Sequence, residues 1–174
     1  MIMKQLQRWL LRKMSKSFWE ARLVPVGLGL IIFIIDQLVK SYVTASMELG
    51  QSIPVIKDYF YITYVLNPGA AFGMFANQRV MFIVVAVILC AVVFYFRKQL
   101  AKESMMMKYG VSMLAGGAVG NLYDRLQSGL VVDFFDFRVW PVFNIADIAI
   151  CVGAALIVMD IFRRRNENDT DLQG

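Results

Sequence analysis

A helical membrane fold with a small β element is what this sequence predicts, on three observations. Of its 174 residues, 59% are hydrophobic and the mean hydropathy is +0.58, too apolar for an ordinary soluble domain and suited to one compact membrane domain. Four stretches approach the ~20 apolar residues that cross a hydrocarbon core. Lysine and arginine collect between these stretches with the asymmetry that orients membrane proteins.

The chain opens with a basic segment, 1–22, holding Lys4, Arg8, Arg12, Lys13, Lys16 and Arg22. The first span, 23–42, is too long for a cleaved signal and lacks a small-residue cleavage pattern, so it reads as an uncleaved anchor. An outer segment, 43–79, follows. Within it 53–66 (IPVIKDYFYITYVL) is rich in β-branched and aromatic residues bounded by turn signals, which predicts two or three short strands on the membrane surface. Asn67-Pro68-Gly69 ends the strand, because proline removes a donor and glycine allows positive φ; Ala70, Ala71 and Gly73 leave room for another backbone.

The second span, 80–96, has no charge in its interior and reads as a packing helix. The loop 97–107 and the start of the third span, 108–126, add Arg97, Lys98, Lys102 and Lys108 to the basic side. A second outer segment, 127–143, reads as a loop carrying Asp133, Asp136 and Trp140, with aromatic residues suited to the lipid headgroup level. The fourth span, 144–162, leads to a tail, 163–174, that begins with Arg163, Arg164 and Arg165 and is expected to be disordered from Asn166. Thirteen of the eighteen basic residues thus fall on one side. Both termini are expected in the cytoplasm, with four spans between them and residues 43–79 and 127–143 outside.

Composition excludes several chemistries. Without histidine there is no Ser-His-Asp or Cys-His nucleophile and no common histidine-based zinc site. Cys90 and Cys151 sit deep in apolar runs and read as buried structural cysteines. The net charge of +5 follows membrane orientation rather than nucleic-acid binding. Hydrolysis here has to run on carboxylates, lysine or tyrosine.

Carboxylates are what the outer boundary collects. The first span reaches Asp36 and Lys40 near its outer end, the third reaches Asn121, Asp124 and Arg125, and the fourth starts with Asn144 and Asp147. A carboxylate near hydrocarbon is costly unless paired, protonated or facing a wet cavity, so the cluster marks a candidate site. Asp36 and Lys40, spaced i, i+4, fit a structural ion pair. Gly116-Gly117-Ala118-Val119-Gly120 fits close helix packing. Asp124 beside Arg125 suggests a salt bridge that makes it a poor base, while Asn121 and Arg125 are donors suited to a peptide carbonyl or a lipid headgroup. Asn144 and Asp147 match a helix cap with an acid at its third position. Asp133 and Asp136 lie in an aromatic segment, where a solvated loop acid is the plain alternative to a site role. By spacing alone, Asp124, Asp133 and Asp136 all remain open as partners of Asp147.

Five blocks in order, Asp36-Gln37-Leu38-Val39-Lys40, Asn67-Pro68-Gly69-Ala70-Ala71-Phe72, Gly116 to Arg125 (GGAVGNLYDR), Val131-Val132-Asp133-Phe134 and Phe143-Asn144-Ile145-Ala146-Asp147, resemble those of the lipoprotein signal peptidase family, or signal peptidase II. The resemblance implies four transmembrane helices with an extracytoplasmic β-cradle. It also implies an aspartic endopeptidase that cleaves signal peptides from diacylglyceryl-modified bacterial prolipoproteins just before the lipidated cysteine, in the inner membrane. It assigns catalysis to Asp133 and Asp147, and substrate binding or support of the site to Asn67, Gly69, Asn121, Arg125, Asn144, Asp36, Lys40 and Asp124. The expected partners are the lipid-modified substrate and membrane lipids, with no nucleic acid, no metal or other cofactor, and a monomeric chain. Two neighbouring carboxylates share one proton, so the ionised member can activate water while the other donates toward the scissile group.

Two rival readings come from the residues themselves. A small proton-coupled transporter or a membrane assembly factor would also carry intramembrane acids, but spread through the membrane depth rather than gathered at one face. A serine–lysine peptidase would use Lys40 with Ser41, Ser46 or Ser52, and no sequence context favours it.

Overall fold

The computed structural model describes residues 25–69, 75 and 77–171, with side chains through 166. The basic segment 1–22 and the small residues Ala70, Ala71 and Gly73 lie outside the described residues. The fold is mostly helical with one small antiparallel sheet.

Helix α1, Pro25–Ser46, turns its chemistry inward. Ile32, Asp36, Lys40 and Val43 recur every three or four residues and are buried, whereas Val26, Leu30, Leu38 and Tyr42 are well exposed. Polar groups inside and hydrocarbon outside is the reverse of a soluble helix. A loop with Gly50 at φ 84° leads into the sheet.

Strands β1 (Ser52–Ile56) and β2 (Phe60–Asn67) form a hairpin whose turn places Asp58 at φ 69°. The third strand, β3 (Val131–Asp136), pairs antiparallel with β2, so β2 lies in the middle. The segment 127–143, expected as a loop, therefore contributes a strand. Its sequence VVDFFD has the β-branched and aromatic character of one, and burial of Val131, Asp133, Phe134 and Asp136 fastens it to the helices. Phe60, Phe135, Phe137 and Phe143 cluster at its far end.

Helix α2 (Arg79–Tyr95) has no buried residue; the single turn α3 (Arg97–Leu100) follows. Helix α4 (Met105–Gln127) is capped by Ser104, whose hydroxyl accepts from the Met107 amide at 3.0 Å. It is the central helix because its glycines let other backbones touch it. A Cβ on Gly116 would fall 2.5 Å from the Gly29 carbonyl oxygen of α1, and one on Gly117 would fall 2.4 Å from the Ala146 oxygen of the last helix. That helix, α5, runs Ile145–Asp171, so the stretch expected to be disordered from Asn166 is helical to Asp171. Asp160 helps to carry it, pairing with Arg163 at 3.2 Å and Arg164 at 2.8 Å, one turn on.

Among the described residues two helices, Pro25–Ser46 and Ile145–Asn166, are long and apolar enough to cross a membrane. The other two expected spans are helices in the expected places. However, α2 has only 17 residues, and α4 gives up apolarity to its glycines, Lys108, Asp124 and Arg125. The cysteines depart from expectation: Cys151 is exposed and Cys90 half-buried. Cys151 sits on the outward surface of the bundle, since α5 spends its inward face on Ala146, Ala149 and Gly153.

Candidate active site

Lys40 is the buried hub on which the site is assembled. Its ammonium lies 2.8 Å from Asp36 and 2.8 Å from Asp124 and donates to Asn121 Oδ1 at 3.0 Å. Each acid then fixes another element. Asp36 Oδ1 accepts from the Ala146 amide at 2.9 Å, capping the start of α5 from α1. Asp124 Oδ2 accepts from the Val132 amide at 3.3 Å, tying down β3 one residue before Asp133. The expected Asp124–Arg125 salt bridge is thus replaced by one to Lys40, because adjacent helical residues point to different faces. Gln37, which residue-by-residue reading passed over, donates to Asp124 at 2.9 Å and to Asp36 at 3.2 Å. Its only signal is its place in the block Asp36–Lys40.

Three asparagines carry this frame to Asp133 and Asp147, and obligatory donors settle the orientation of each amide. Asn121 must turn Oδ1 to Lys40, which leaves its Nδ2 to donate to Asp147 Oδ1 at 2.7 Å. Asn144 must turn Oδ1 to the Asp147 backbone amide, at 2.9 Å, which leaves its Nδ2 to donate to Asp133 Oδ1 at 2.6 Å. Asn67 accepts from the Gly69 amide at 2.9 Å and donates to Asp133 Oδ2 at 2.8 Å. The Asn144 amide in turn donates to Asp147 Oδ2 at 3.2 Å. Asn144 and Asp147 thereby form the expected capping box, and Asn144 touches both aspartates. Among the described residues each of the four carboxylate oxygens accepts one bond, which leaves lone pairs for a proton and a water.

Burial separates the two acids. Asp133 is 1% exposed, and Asp147 is half-buried. The Asp133 carboxyl is pushed up to about 7, first by burial and then by the charge of Asp147, against the lowering hydrogen bonds from Asn67 and Asn144. A cavity of about 460 Å³ opens over Asp133, lined by Asn67, Pro68, Arg138, Val139 and Trp140 among others. Among the described residues no group of three or more histidine, cysteine, aspartate or glutamate side chains is placed to hold a metal.

The remaining expected site residues take supporting positions. Arg125 donates to the Gly69 carbonyl at 2.8 Å and lies over the Phe82 ring at 4.4 Å. It binds the turn after β2 with one of its five N–H groups, and Asn121 uses its oxygen on Lys40 and Asn144 and one N–H on Asp147. Asp136 is not a solvated loop acid: it is 5% exposed and accepts from Thr63 at 2.7 Å and from the Arg138 amide at 2.8 Å. Asp160, fully covered at the opposite end of the bundle, joins Ser104 at 2.7 Å and Arg164. It lies inside an expected span, yet the reading of the outer boundary left it out.

Residues 28–163 match the family model described as signal peptidase (SPase) II. The chain is 45% identical over 141 residues to a lipoprotein signal peptidase of Pelotomaculum thermopropionicum, covering 81% of this chain and 90% of that one. It is 43% identical over 151 residues to a lipoprotein signal peptidase of Desulfitobacterium hafniense, covering 86% and 99%. A bacterial membrane enzyme solved by the in meso method at 2.3 Å resolution superposes with a TM-score of 0.77 at 30% identity, over 83% of this chain and 90% of that one.

Proposed function

This chain belongs to the signal peptidase II family, and from that premise we propose that Asp133 and Asp147 are its catalytic pair. It is a membrane protease that removes signal peptides from prolipoproteins. The observation that carries the proposal is the sharing of Asn144, which donates to Asp133 through its side chain and to Asp147 through its backbone. The charge of Asp147 is felt at Asp133, which it helps to raise, and the proposal takes the two acids as a pair that holds one proton. The more buried Asp133, raised to about 7 by burial and then by the charge of Asp147, is proposed as the member that holds the proton below that pH.

In the proposed reaction, the ionised Asp147 takes a proton from a water as its oxygen attacks the scissile carbonyl. Asp133 gives its proton toward the carbonyl oxygen, and the pair returns a proton to the leaving amine. Asn67, Asn121 and Asn144 hold the carboxyl groups; Asp36, Lys40 and Asp124 hold the asparagines; Arg125 holds Gly69 beside them. The proposed substrate carries a diacylglyceryl cysteine just after the cut, with its signal helix lying among the helices.

The four helices α1, α2, α4 and α5 are proposed to span the inner membrane of a bacterium as a single domain. Residues 1–22, 97–107 and 163–174 would then lie in the cytoplasm, and the sheet would form an outer cradle. The positive-inside distribution supports this orientation, and a monomer satisfies the proposal because the site draws on one chain. Asp133→Asn and Asp147→Asn are each expected to lower cleavage of a lipid-modified preprotein by at least about a thousandfold, the scale of general acid–base catalysis, while the protein still inserts. Wild-type activity is expected to survive a chelator. Retention of normal turnover by either variant would refute the assignment.

A further inference from the structure

At the end of the bundle remote from the aspartates, a groove of about 800 Å³ opens between α1, α2 and α4. Its walls are apolar, and Gly29, Ala115 and Gly116 keep its floor low. Arg97, Lys98 and Lys108 stand at its mouth, and among the described residues no acid lines it. Lys108 is half-buried, and neither its ammonium nor that of Lys98 has a hydrogen bond or ion pair among the described residues. Arg97 caps the Phe94 carbonyl at 2.8 Å and remains exposed to the groove mouth. A partly buried ammonium with no counter-charge among the described residues, at the head of an apolar slot, asks for an anion joined to hydrocarbon.

We infer that this groove holds one anionic phospholipid, its phosphate between Arg97, Lys98 and Lys108 and an acyl chain laid along α1 and α4. Basic pockets between membrane helices on the cytoplasmic side recognise such headgroups. Depth argues for a lipid over the signal peptide. From Lys108 to Val119 the groove follows twelve residues of α4, about 16 Å at the helical rise, roughly half of a ~30 Å hydrocarbon core and so one leaflet. A signal helix needs the whole depth, and its basic start would meet three charges of its own sign. Only the naming of the leaflet, the cytoplasmic one, rests on the orientation proposed above.

The test is native mass spectrometry of the full chain released from micelles containing equal amounts of phosphatidylglycerol and phosphatidylcholine. The wild type is expected to retain one phosphatidylglycerol in preference. Arg97→Gln, Lys98→Gln and Lys108→Gln are each expected to reduce that preference about fivefold, the worth of one basic residue near an anionic surface. Lys102→Gln, in the same loop but outside the groove, should leave it unchanged, and the thermal midpoint in phosphatidylcholine reports whether each variant is folded. Should Lys108→Gln fail to fold, Lys98→Glu at an exposed position carries the same test.

Absence of preference in the wild type, an equal loss in Lys102→Gln, or displacement of the lipid by inorganic phosphate would overturn the inference. So would a photocrosslinker at Ala115 that captures a signal peptide or residues 1–24 instead of lipid. Peptidase activity enters none of these readings, so failure of the aspartate assignment would leave the lipid result standing.

Discussion

Replacing Asn67 with alanine should move the alkaline edge of activity upward. Asn67 Nδ2 donates to Asp133 Oδ2 at 2.8 Å in a site where Asp133 is 1% exposed. That bond favours the carboxylate and opposes the burial and the Asp147 charge that together push the group to about 7. A hydrogen bond to a buried charged group is worth about 1.5–3 kcal/mol, and ~1.4 kcal/mol corresponds to one pH unit, so its removal should raise the Asp133 value by roughly 1–2. The sign follows from the role: the reaction needs Asp133 protonated, an acid is protonated below its pKa, and a higher pKa extends the active range to higher pH. In wild type, kcat should fall with a midpoint near 7; in Asn67→Ala the midpoint should lie about 1–2 pH units higher. The assay is kcat against pH with a lipidated fluorogenic peptide. Asn67 also holds the Gly69 amide at 2.9 Å, so KM is expected to rise as well, which is why the edge is read on kcat. A midpoint that stays in place or moves down would show that Asp133 is not the proton carrier.

Lys40→Met should be severely destabilising, because it leaves Asp36 and Asp124 buried without the ammonium that sits 2.8 Å from each. Breaking a buried ion pair from one side costs about 3–5 kcal/mol, visible as a collapse of the thermal midpoint or of accumulation in the membrane. Gly116→Ala should separate α4 from α1, since its Cβ would lie 2.5 Å from the Gly29 oxygen; overpacking of this kind costs about 1–3 kcal/mol. Gly27→Ala, with no described atom within 4 Å of the added Cβ, should leave the midpoint unchanged or raise it by the ~1 kcal/mol by which alanine favours a helix over glycine. Asp136→Asn should keep cleavage within about tenfold yet lose about 1–3 kcal/mol of stability, read by thermal unfolding, because Thr63 and the Arg138 amide each use one of its oxygens.

Much of the fold and part of the site were legible in the sequence because their causes are local. The Asp36–Lys40 pair needs only four residues of helix, the Asn144–Asp147 box only three, and the strands of 53–66 show in their own side chains. Apolar length marked the four helices, and the ordered blocks identified the family. The polar tail misled because the ion pairs of Asp160 with Arg163 and Arg164 extend α5 beyond its apolar stretch. Likewise 131–136 read as loop because a strand's partner, here β2, lies more than sixty residues away.

The tertiary structure decided which carboxylates meet. Asp124 has Arg125 as its chain neighbour but Lys40 as its ion-pair partner, and Asp36 caps a helix that begins more than a hundred residues later. Asp133 reaches Asn67 from 66 residues away. Side-chain period and capping are set by bonds along the backbone, so they are written in consecutive residues. The identity of a buried charge's partner is set by proximity through space, and here that proximity exists only because glycines let α1 and α5 close on α4.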